Sequence, residues 1–429
     1  MSLTKLSGRI RAATGALALL SLAAIATAQS NEISSEVKQK VLDKVTYQLT
    51  KHAFVPGIDF GKWPGFVEAN KEKIEAAKTE EDFQRAINTA LMEFGASHIV
   101  MTTPRQSEAR RTGATVGIGV SSQTTPEGLL IVRVVKDAPA EVAGIQPGDL
   151  IVEVDGKPVE GIRGIPGAEG TEVALKIKKP DGTVKDLKVK RRKFSTVRPE
   201  ELTWIDKDTA KLTVYTFDLS YDAENVETLM KKAAKSKNLI LDLRDNGGGA
   251  VHNLQHLLGL FINPEQPIGT WISRSIVNKY KAAKDGKETD LEAIALWTSE
   301  GKVRPMRNER LSPYKGSVMV LINGLSGSAS EIAAAALQET VGAKVIGTKS
   351  AGAVLVSVIV PAAEGYMIQY PLSDYVTIRG RRLEGNGVIP DIEAKDPAIR
   401  LPNSKDASVE AAIGLLAKSK DPSGKGSGQ

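Results

Sequence analysis

The chain contains the stretch SVMVLINGLSGSASEIAAAALQE at residues 317–339, where a strand, a tight turn and a helix are expected to follow one another. Apart from Ser317, its first six residues are apolar and partly β-branched, which is typical of a buried parallel strand. The small residues that follow predict a turn, and the alanine-rich run from Ser328 to Gln338 favours a helix. Ser328 is therefore expected at a helix N-terminus, beside unpaired backbone N–H groups.

Ser328 has two competing interpretations at that position. The four residues from Ser328 to Glu331 fit the S-x-x-E capping box, in which the serine satisfies the first turn of the helix. Alternatively, Ser328 is an attacking nucleophile, because the backbone donors and the helix dipole stabilise a developing oxyanion. Capping boxes are far more common than nucleophiles, so the remaining sequence has to decide between the two.

The length of 429 residues exceeds one ordinary domain and predicts about two or three. With 41% hydrophobic and 25% charged residues, the composition is that of a soluble globular protein. The chain has no cysteine, which excludes disulfides, thiol catalysis and cysteine metal sites.

Residues 1–28 have the three parts of a secretory signal peptide. Three basic residues begin it, an apolar run occupies residues 12–25, and Ala26-Thr27-Ala28 forms a small-residue cleavage site. The apolar run is short for a bilayer span, so an uncleaved anchor, with the membrane association it would bring, is the weaker alternative. We expect export to the periplasm or the extracellular space, with cleavage after Ala28.

The net charge gives little indication of a nucleic-acid partner. The three basic residues of the signal account for half of the net charge of +6. No stripe of basic and aromatic residues predicts a nucleic-acid surface either.

Four segments with different residue patterns follow the signal. Apolar residues recur at helical spacing across residues 32–104, which predicts a small helical N-terminal domain. Residues 105–112 are polar and charged, as in a linker. Residues 113–192 consist of short strands and turns, including a hairpin at Pro180-Asp181-Gly182. Residues 200–415 alternate strands with helices, which indicates an α/β core.

Two stretches lack a strong pattern. Residues 275–312 are polar, charged and weakly periodic, which predicts an excursion or flap from the core. Residues 416–429 are rich in glycine, serine and lysine, so a flexible tail is expected there.

The segment at residues 113–192 resembles a PDZ domain. APAEVAGIQPGDLIVEVDGKPV, at residues 138–159, is similar to the most recognisable part of that family. The loop containing Gly117, Ile118 and Gly119 resembles the family's carboxylate-binding loop, in which backbone N–H groups converge on a peptide's terminal carboxylate.

The resemblance weakens after residue 159. Little room remains between Gly161 and Thr171 for the helix that forms the far wall of the peptide groove, and Pro166 interrupts it further. The sequence therefore indicates a PDZ-like fold more clearly than it indicates peptide binding.

Three stretches in a fixed order resemble the C-terminal processing, or tail-specific, serine peptidases. They are LILDLRDNGGG at residues 239–249, the stretch at residues 317–339, and LEGNGVIPDI at residues 383–392. This resemblance, which extends to the tricorn core protease of archaea, covers residues 35–415. It implies the fold class α/β, with a crotonase-like peptidase core, an inserted PDZ-like β domain and the helical N-terminal domain.

The same resemblance carries expectations about activity. It implies a serine-type endopeptidase that cleaves proteins or peptides near their C-termini, with such tails as its partners and no cofactor. The motif match makes Ser328 the nucleophile.

One part of the family pattern is missing. Most bacterial members resemble one another in pairing the serine with a lysine in a turn that lies one helix and one strand downstream. Here that turn is SAGA at residues 350–353, so Ala353 stands where the lysine is expected, and Ser357 replaces a glutamine four residues later. Lys349 lies on the other side of the glycine and is expected on the surface. A serine–lysine dyad is excluded at this position.

Another base must therefore activate Ser328, since a serine hydroxyl alone is a poor nucleophile. Ser97-His98 resembles the adjacent serine and histidine of the tricorn core, and Glu384 resembles the glutamate that completes its tetrad. His98 would act first as general base and then as general acid, while Ser97 and Glu384 orient it. The alternatives are a partly buried structural histidine and, for Glu384, a charged surface run.

The other three histidines are weaker candidates. His52 lies in an aromatic loop, and His252 and His256 are four residues apart on one predicted helix. Such a pair can bind a metal, but no third ligand is apparent, so surface histidines and no metal site are expected.

An oxyanion hole needs two backbone donors near the forming alkoxide. The Ala329 N–H, directly after the nucleophile, is one natural choice. Gly248, within the turn at residues 247–249, is the second, because missing side chains permit close approach. A nucleotide-binding glycine turn is the alternative, but the turn lacks the GxGxxG and GxxxxGK[ST] patterns.

Two functions of other classes remain open at this point. Without the lysine, the chain could be an inactive peptidase that serves as a binding or adaptor protein through its PDZ-like groove. It could also be a ligand carrier on the same crotonase-like core, for which an apolar cavity is expected.

Overall fold

A computed structural model describes residues 32–159, 165–397, 401 and 404–420. The expected signal peptide, residues 160–164 and the last nine residues of the expected tail lie outside the described residues. None of the helices in the described ranges is long and apolar enough to cross a membrane.

The first described segment is helical, as its periodicity predicts. Its elements are helices α1 (Ser35–His52), α2 (Trp63–Ala69), α3 (Lys71–Ala76) and α4 (Glu80–Met92), strand β1 (Val100–Thr102) and helix α5 (Pro104–Thr112). Side chains at helical spacing are fully buried on α1 and α4, among them Val45, Leu49 and Phe83. They share one apolar cluster with Tyr366 and Ile368, so these helices pack directly on the core.

The prediction of a linker at residues 105–112 is wrong, because these residues form α5. Thr103 and Gln106 make a reciprocal capping box at its start, with hydrogen bonds of 3.1 and 3.2 Å. Arg110 makes two hydrogen bonds, of 2.6 and 2.8 Å, to Asp218 of the core. A polar helix held by caps and ion pairs has no apolar period, so hydrophobic patterning misses it.

The next segment is a small antiparallel β structure. Its elements are strands β2 (Ala114–Gly117), β3 (Val120–Thr125) and β4 (Gly128–Val134), helix α6 (Pro139–Val142), and strands β5 (Leu150–Val154), β6 (Lys157–Pro158), β7 (Glu172–Lys178), β8 (Val184–Lys190) and β9 (Arg192–Ser195). The main sheet has the order β3-β4-β5-β7-β8, and β2 pairs with β9. The hairpin predicted at residues 180–182 joins β7 to β8 and is confirmed. Residues 165–171 contain no helix.

The remaining residues form the α/β core. In chain order its elements are β10 (Glu201–Trp204), β11 (Thr209–Thr213), α7 (Ala223–Ala233), β12 (Asn238–Asp242), α8 (Val251–Gly259), β13 (Gly269–Ser273), α9 (Arg274–Lys284), α10 (Leu291–Trp297), β14 (Lys302–Val303), β15 (Ser317–Ile322), α11 (Ala329–Thr340), β16 (Lys344–Gly347), β17 (Val356–Pro361), β18 (Met367–Thr377), β19 (Ile392–Glu393) and α12 (Ala407–Lys420).

Two sheets organise this core. The first has the order β10-β11-β12-β15-β16-β19, with parallel pairing from β11 onward. The stretch at residues 317–339 thus supplies a central strand, β15, and the buried helix α11. The second sheet is antiparallel, and in it β1 pairs with β18. This pairing brings the chain just before β1 against the core.

Two further predictions about the core need correction. Residues 275–312 are not an irregular flap, since they include α9 and α10, which bury Ile276, Val277 and Ile294. Their apolar residues are spaced for two short helices, and the charged residues between them hide the period. The expectation of a flexible tail is wrong for residues 416–420, because α12 extends through Lys420.

Candidate active site

Ser328 lies in a strained turn between a strand and a helix. Strand β15 ends at Ile322, and α11 begins at Ala329. Ser328 has φ 55° and ψ −118°, a backbone conformation that residues other than glycine rarely adopt. Such a conformation costs about 1–3 kcal/mol and persists only where its surroundings enforce it. A strained strand-to-helix turn of this kind exposes a nucleophile above a sheet.

The turn is held from two sides. Ser326 Oγ donates to the carbonyl of Leu243 at 2.8 Å, and the N–H of Gly327 donates to the carbonyl of Asn246 at 3.0 Å. On the other side, the Ser328 N–H lies 2.8 Å from the Ala353 carbonyl and 3.0 Å from a carboxylate oxygen of Glu331. Both neighbouring loops therefore fix the backbone of Ser328.

Ser328 occupies the N-cap of α11, while its hydroxyl is available for chemistry. The side chain of Glu331 supplies the expected capping-box bond to the Ser328 N–H. Ser328 Oγ itself lies 3.0 Å from Nε2 of His98. The two interpretations of Ser328 are thus compatible, because the backbone serves the cap and the hydroxyl faces a histidine.

A continuous chain of hydrogen bonds extends from Ser328 through His98 to Glu384. Nδ1 of His98 lies 2.7 Å from Ser97 Oγ, which donates to Glu384 Oε2 at 2.8 Å. Glu384 also accepts the N–H of Ser97 at 2.9 Å and that of Val354 at 2.7 Å. The structure brings together all four predicted side chains, although they come from three separate stretches of sequence.

The donor and acceptor inventory sets the tautomer of His98. An ionised Glu384 can only accept, so the single hydroxyl proton of Ser97 goes to Glu384. Ser97 Oγ must then accept from Nδ1–H of His98. The lone pair of the imidazole is left on Nε2, where it faces the Ser328 hydroxyl. This is the tautomer that a general base requires.

The electrostatics of His98 favour the neutral imidazole. Burial lowers its pKa below the ordinary value of 6.5, and the negative charge of Glu384 opposes this only in part. His98 also has a positive φ of 57°. Both partners of the 3.0 Å contact are thus held in uncommon backbone conformations.

The two predicted oxyanion donors differ in their present partners. The Ala329 N–H donates to no acceptor within the described residues. Gly248 lies against Ser328 as expected, since a Cβ atom on Gly248 would be 2.6 Å from Ser328 Cβ. Its N–H, however, donates to Oδ1 of Asn246 at 2.9 Å. Asn246 is a buried residue that the sequence did not single out.

The turn that lacks the lysine lies directly beside the nucleophile. Ala353 accepts the Ser328 N–H through its carbonyl and donates its own N–H to Glu331 at 2.9 Å. Lys349 is exposed, as predicted. Ser357 accepts a hydrogen bond of 2.7 Å from Gln369 within the β17–β18 pair and does not contact the site.

The remaining histidines lie outside this constellation. His252 is exposed, as expected, and His52 is exposed at the C-terminal end of α1, where the sequence predicts an aromatic loop. His256 is not a surface histidine: its ring bonds the Tyr221 hydroxyl at 2.8 Å and Glu227 at 3.2 Å. Among the described residues, no group of three or more histidine, aspartate or glutamate side chains could hold a metal ion.

The predicted carboxylate-binding loop of the PDZ-like segment contains a glycine with a positive φ. Gly119 has φ 82°, and a Cβ atom there would be 2.2 Å from that of Ala138, so glycine is required. The side chain of Ile118 is buried. Within the described residues, the N–H groups of Ile118 and Gly119 donate to no acceptor, and they adjoin Gly117 at the end of β2.

A serine hydroxyl at a helix N-terminus, paired with a neutral imidazole that a Ser–Glu pair orients, is the arrangement of a serine hydrolase. Sequence comparison narrows this class. Residues 208–394 match peptidase family S41, and residues 130–191 match a PDZ domain. A region that matches the family S41 model thus follows a region that matches a PDZ domain.

Two curated relatives bear the name "Probable CtpA-like serine protease". That of Staphylococcus haemolyticus is 30% identical over 311 residues, which are 69% of this chain and 57% of the relative. That of Staphylococcus epidermidis is 27% identical over 339 residues, 76% of this chain and 64% of the relative. The chain spans less than two thirds of the length of either.

The structure of mature CPAF complexed with lactacystin has a similar fold. It is 17% identical in sequence, with a TM-score of 0.52, and the match covers 90% of this chain and 98% of that one. At this identity the likeness concerns the fold alone.

Proposed function

We propose that the chain is an exported serine endopeptidase that cleaves proteins or peptides near their C-termini, with Ser328 as nucleophile and His98 as general base. The observation that carries the proposal is the 3.0 Å contact between Ser328 Oγ and His98 Nε2, at the end of the chain of bonds from Glu384. The family S41 match and the serine protease relatives support the same reaction class.

The first half of the reaction forms an acyl-enzyme. Ser328 Oγ attacks the scissile carbonyl carbon while its proton moves to His98 Nε2. The carbonyl electron pair moves to the oxygen, which faces the unpaired N–H of Ala329. When the C–N bond breaks, His98 returns the proton to the departing amine.

The second half uses the same groups in reverse. A water molecule gives one proton to His98 Nε2 as its oxygen attacks the acyl carbon, and the proton then returns to Ser328 Oγ as the ester bond breaks. Ser97 and Glu384 stabilise the imidazolium that forms in each half, because Ser97 Oγ accepts from Nδ1–H while it donates its own proton to the Glu384 carboxylate. No further group is needed to balance either step.

Gly248 serves as the second oxyanion donor in this proposal. Its N–H now bonds Asn246, so that bond must lengthen or be shared when the oxyanion forms. The close approach of Gly248 to Ser328 supports the assignment.

We also propose a crotonase-like core and a PDZ domain that binds the tail of a substrate. The parallel first sheet and the buried α11 are consistent with a crotonase-like core. The unpaired N–H groups of Ile118 and Gly119 would bind the terminal carboxylate of a substrate, so that the domain presents or gates its tail. Export rests on the signal pattern of residues 1–28.

Two measurements test these statements. A fluorophosphonate probe should modify Ser328 in the protein without residues 1–28, and peptide mass spectrometry locates the adduct. An unmodified Ser328 would support the inactive adaptor instead. For tail preference, one peptide is compared with a free and with an amidated C-terminus. We expect faster cleavage of the free form, and equal rates would contradict tail recognition.

A further inference from the structure

We infer that Glu331 is a positioning residue. It fixes Ser328 relative to the turn at residues 350–354, so that the Ser328 hydroxyl lies within hydrogen-bond distance of His98. The inference rests on the proposed function and deepens it. From the sequence alone, the Glu331 carboxylate is predicted only to be part of a helix cap.

Glu331 is fully buried and accepts four hydrogen bonds. Oε1 accepts from Ser350 Oγ at 2.6 Å and from the Gly352 N–H at 2.7 Å. Oε2 accepts from the N–H groups of Ala353 at 2.9 Å and of Ser328 at 3.0 Å. A capping glutamate needs only the last of these bonds, so the other three indicate an additional role.

The four donors favour an ionised carboxylate. Burial raises the pKa of Glu331, and the four hydrogen bonds oppose that effect. Three of the donors are backbone N–H groups, which cannot accept a proton. The fourth, Ser350 Oγ, already accepts the Val388 N–H at 2.6 Å, so its own proton is directed to Glu331. A protonated Glu331 could donate its O–H only to Ser350 Oγ, which would then lose Glu331 as the acceptor of its own proton.

The bonds of Glu331 close a ring that includes the catalytic groups. Glu331 fixes Ala353, and the N–H of the next residue, Val354, bonds Glu384 Oε2 at 2.7 Å. Glu384 connects through Ser97 and His98 to Ser328 Oγ. The Ser328 N–H returns the ring to Glu331.

A second bond fixes the loop that carries Glu384. The Gly385 N–H donates to the carbonyl of Gly352 at 2.8 Å, and the N–H of Gly352 is itself on Glu331. Glu331 thus sets the position of the nucleophile and also that of the acid that orients the base.

The ring explains how strain at Ser328 is maintained. Its backbone conformation is unfavourable, and its N–H is shared between Ala353 and Glu331, two groups that are themselves bonded to each other. Without the carboxylate we expect the turn and Ser328 to relax together. A displacement of about 1 Å at a reacting group costs about 100-fold in rate.

The test compares E331Q with E200Q. Glu200 is a second buried glutamate that accepts N–H donors, from Asp222 at 3.2 Å and Asn225 at 3.1 Å, none of them in the ring. Glutamine keeps the size but places an NH₂ group against two of the donors. We expect E331Q to lower kcat and the fluorophosphonate labelling rate about 100-fold with KM unchanged, and E200Q to leave both rates unchanged.

Hydrogen exchange provides a readout that does not need activity. In E331Q the amides of Gly352 and Ala353 should exchange faster, while those of the PDZ domain keep their wild-type rates. A folded E331Q with wild-type kcat and labelling would overturn the inference. An equal loss in E200Q would also overturn it, because the effect would then follow from any buried glutamate.

Two other results can be distinguished from a failure of the inference: an E331Q variant that does not fold, and a wild-type protein that is not labelled. If E331Q does not fold, S350A removes one donor from Glu331 and also the acceptor of the Val388 N–H, so we expect a lower melting temperature and, in the folded protein, a loss of about tenfold in labelling rate. A wild-type rate in S350A would then contradict the inference. If the wild-type protein itself is not labelled, the peptidase proposal fails, and the exchange data alone decide whether Glu331 holds the turn.

Discussion

Two histidines of this chain, His98 and His256, lie between a hydroxyl and a carboxylate. His98 faces Ser328 Oγ at 3.0 Å and reaches Glu384 through Ser97. His256 faces the Tyr221 hydroxyl at 2.8 Å and bonds a carboxylate directly at 3.2 Å. By residue type alone, the two constellations are difficult to tell apart.

Their surroundings differ in ways that matter chemically. Ser328 lies at a strained helix N-terminus with the unpaired Ala329 N–H beside it. Tyr221 is stacked on Phe217, and burial raises the pKa of its hydroxyl, which keeps the phenol neutral. Glu227, the carboxylate that bonds His256, also accepts hydrogen bonds from Asn308 and Arg310. A nucleophile thus requires the backbone around the hydroxyl as well as its histidine.

The largest difference between the two constellations is expected when the Ser328 hydroxyl is removed. S328A should lower the cleavage of an unfolded protein on the order of 10⁶-fold, because no other group can form the acyl-enzyme. Gel-based proteolysis with the melting curve of the same sample measures this. Residual cleavage at the wild-type level would move the nucleophile elsewhere.

The acid behind His98 should matter less than the nucleophile. E384Q replaces one carboxylate oxygen with an NH₂ group, which cannot accept the Ser97 proton, so the tautomer of the imidazole is no longer fixed. We expect kcat to fall on the order of 10³-fold. Steady-state kinetics on a fluorogenic peptide measures it, with S97A as a second variant of the same link. If KM rises by a larger factor than kcat falls, this role of Glu384 is contradicted.

The pH profile distinguishes His98 from an ordinary histidine. His98 must be neutral to take the serine proton, so the labelling rate decreases as the pH falls through its pKa. Because burial lowers that pKa, the midpoint of the acid limb should lie below pH 6.5. E384Q removes the charge that raises the pKa, so its midpoint should move lower still. An upward shift in E384Q would contradict this assignment.

The smallest effect is expected at the second constellation. Y221F deletes the hydroxyl that bonds His256 and keeps the ring. The free energy of unfolding, measured with urea, should fall by about 1 kcal/mol. The labelling rate of Ser328 should be unchanged, and a strong loss of labelling would show that the two histidines are not functionally distinct.

Much of the fold follows from local patterns. The strand, turn and helix at residues 317–339, and the hairpin at residues 180–182, have periods and turn residues that determine their structure. Helices α5 and α9 were beyond such reasoning, since capping bonds, ion pairs and a short buried face hold them. Pattern arguments depend on apolar spacing, which α5 lacks and which the charged residues around α9 obscure.

The candidate site divides in the same way. Ser328, His98, Ser97 and Glu384 were predicted from the family resemblance of their motifs and from the missing lysine at Ala353. The extra bonds of Glu331 depend on the contact of α11 with the turn at residues 350–354, whereas the Asn246 side chain bonds the Gly248 N–H within its own turn. His256 was expected on the surface because its partners lie on other elements. Contacts between distant segments leave no local sequence signal.

The rate of fluorophosphonate labelling in wild-type protein and in H98Q tests the central claim most directly. Both proteins are prepared without residues 1–28 and checked for equal melting temperature, and the adduct is located by peptide mass spectrometry. We predict modification of Ser328 in the wild type and a loss on the order of 10⁴-fold or more in H98Q. Equal labelling of the two proteins would contradict His98 as the base.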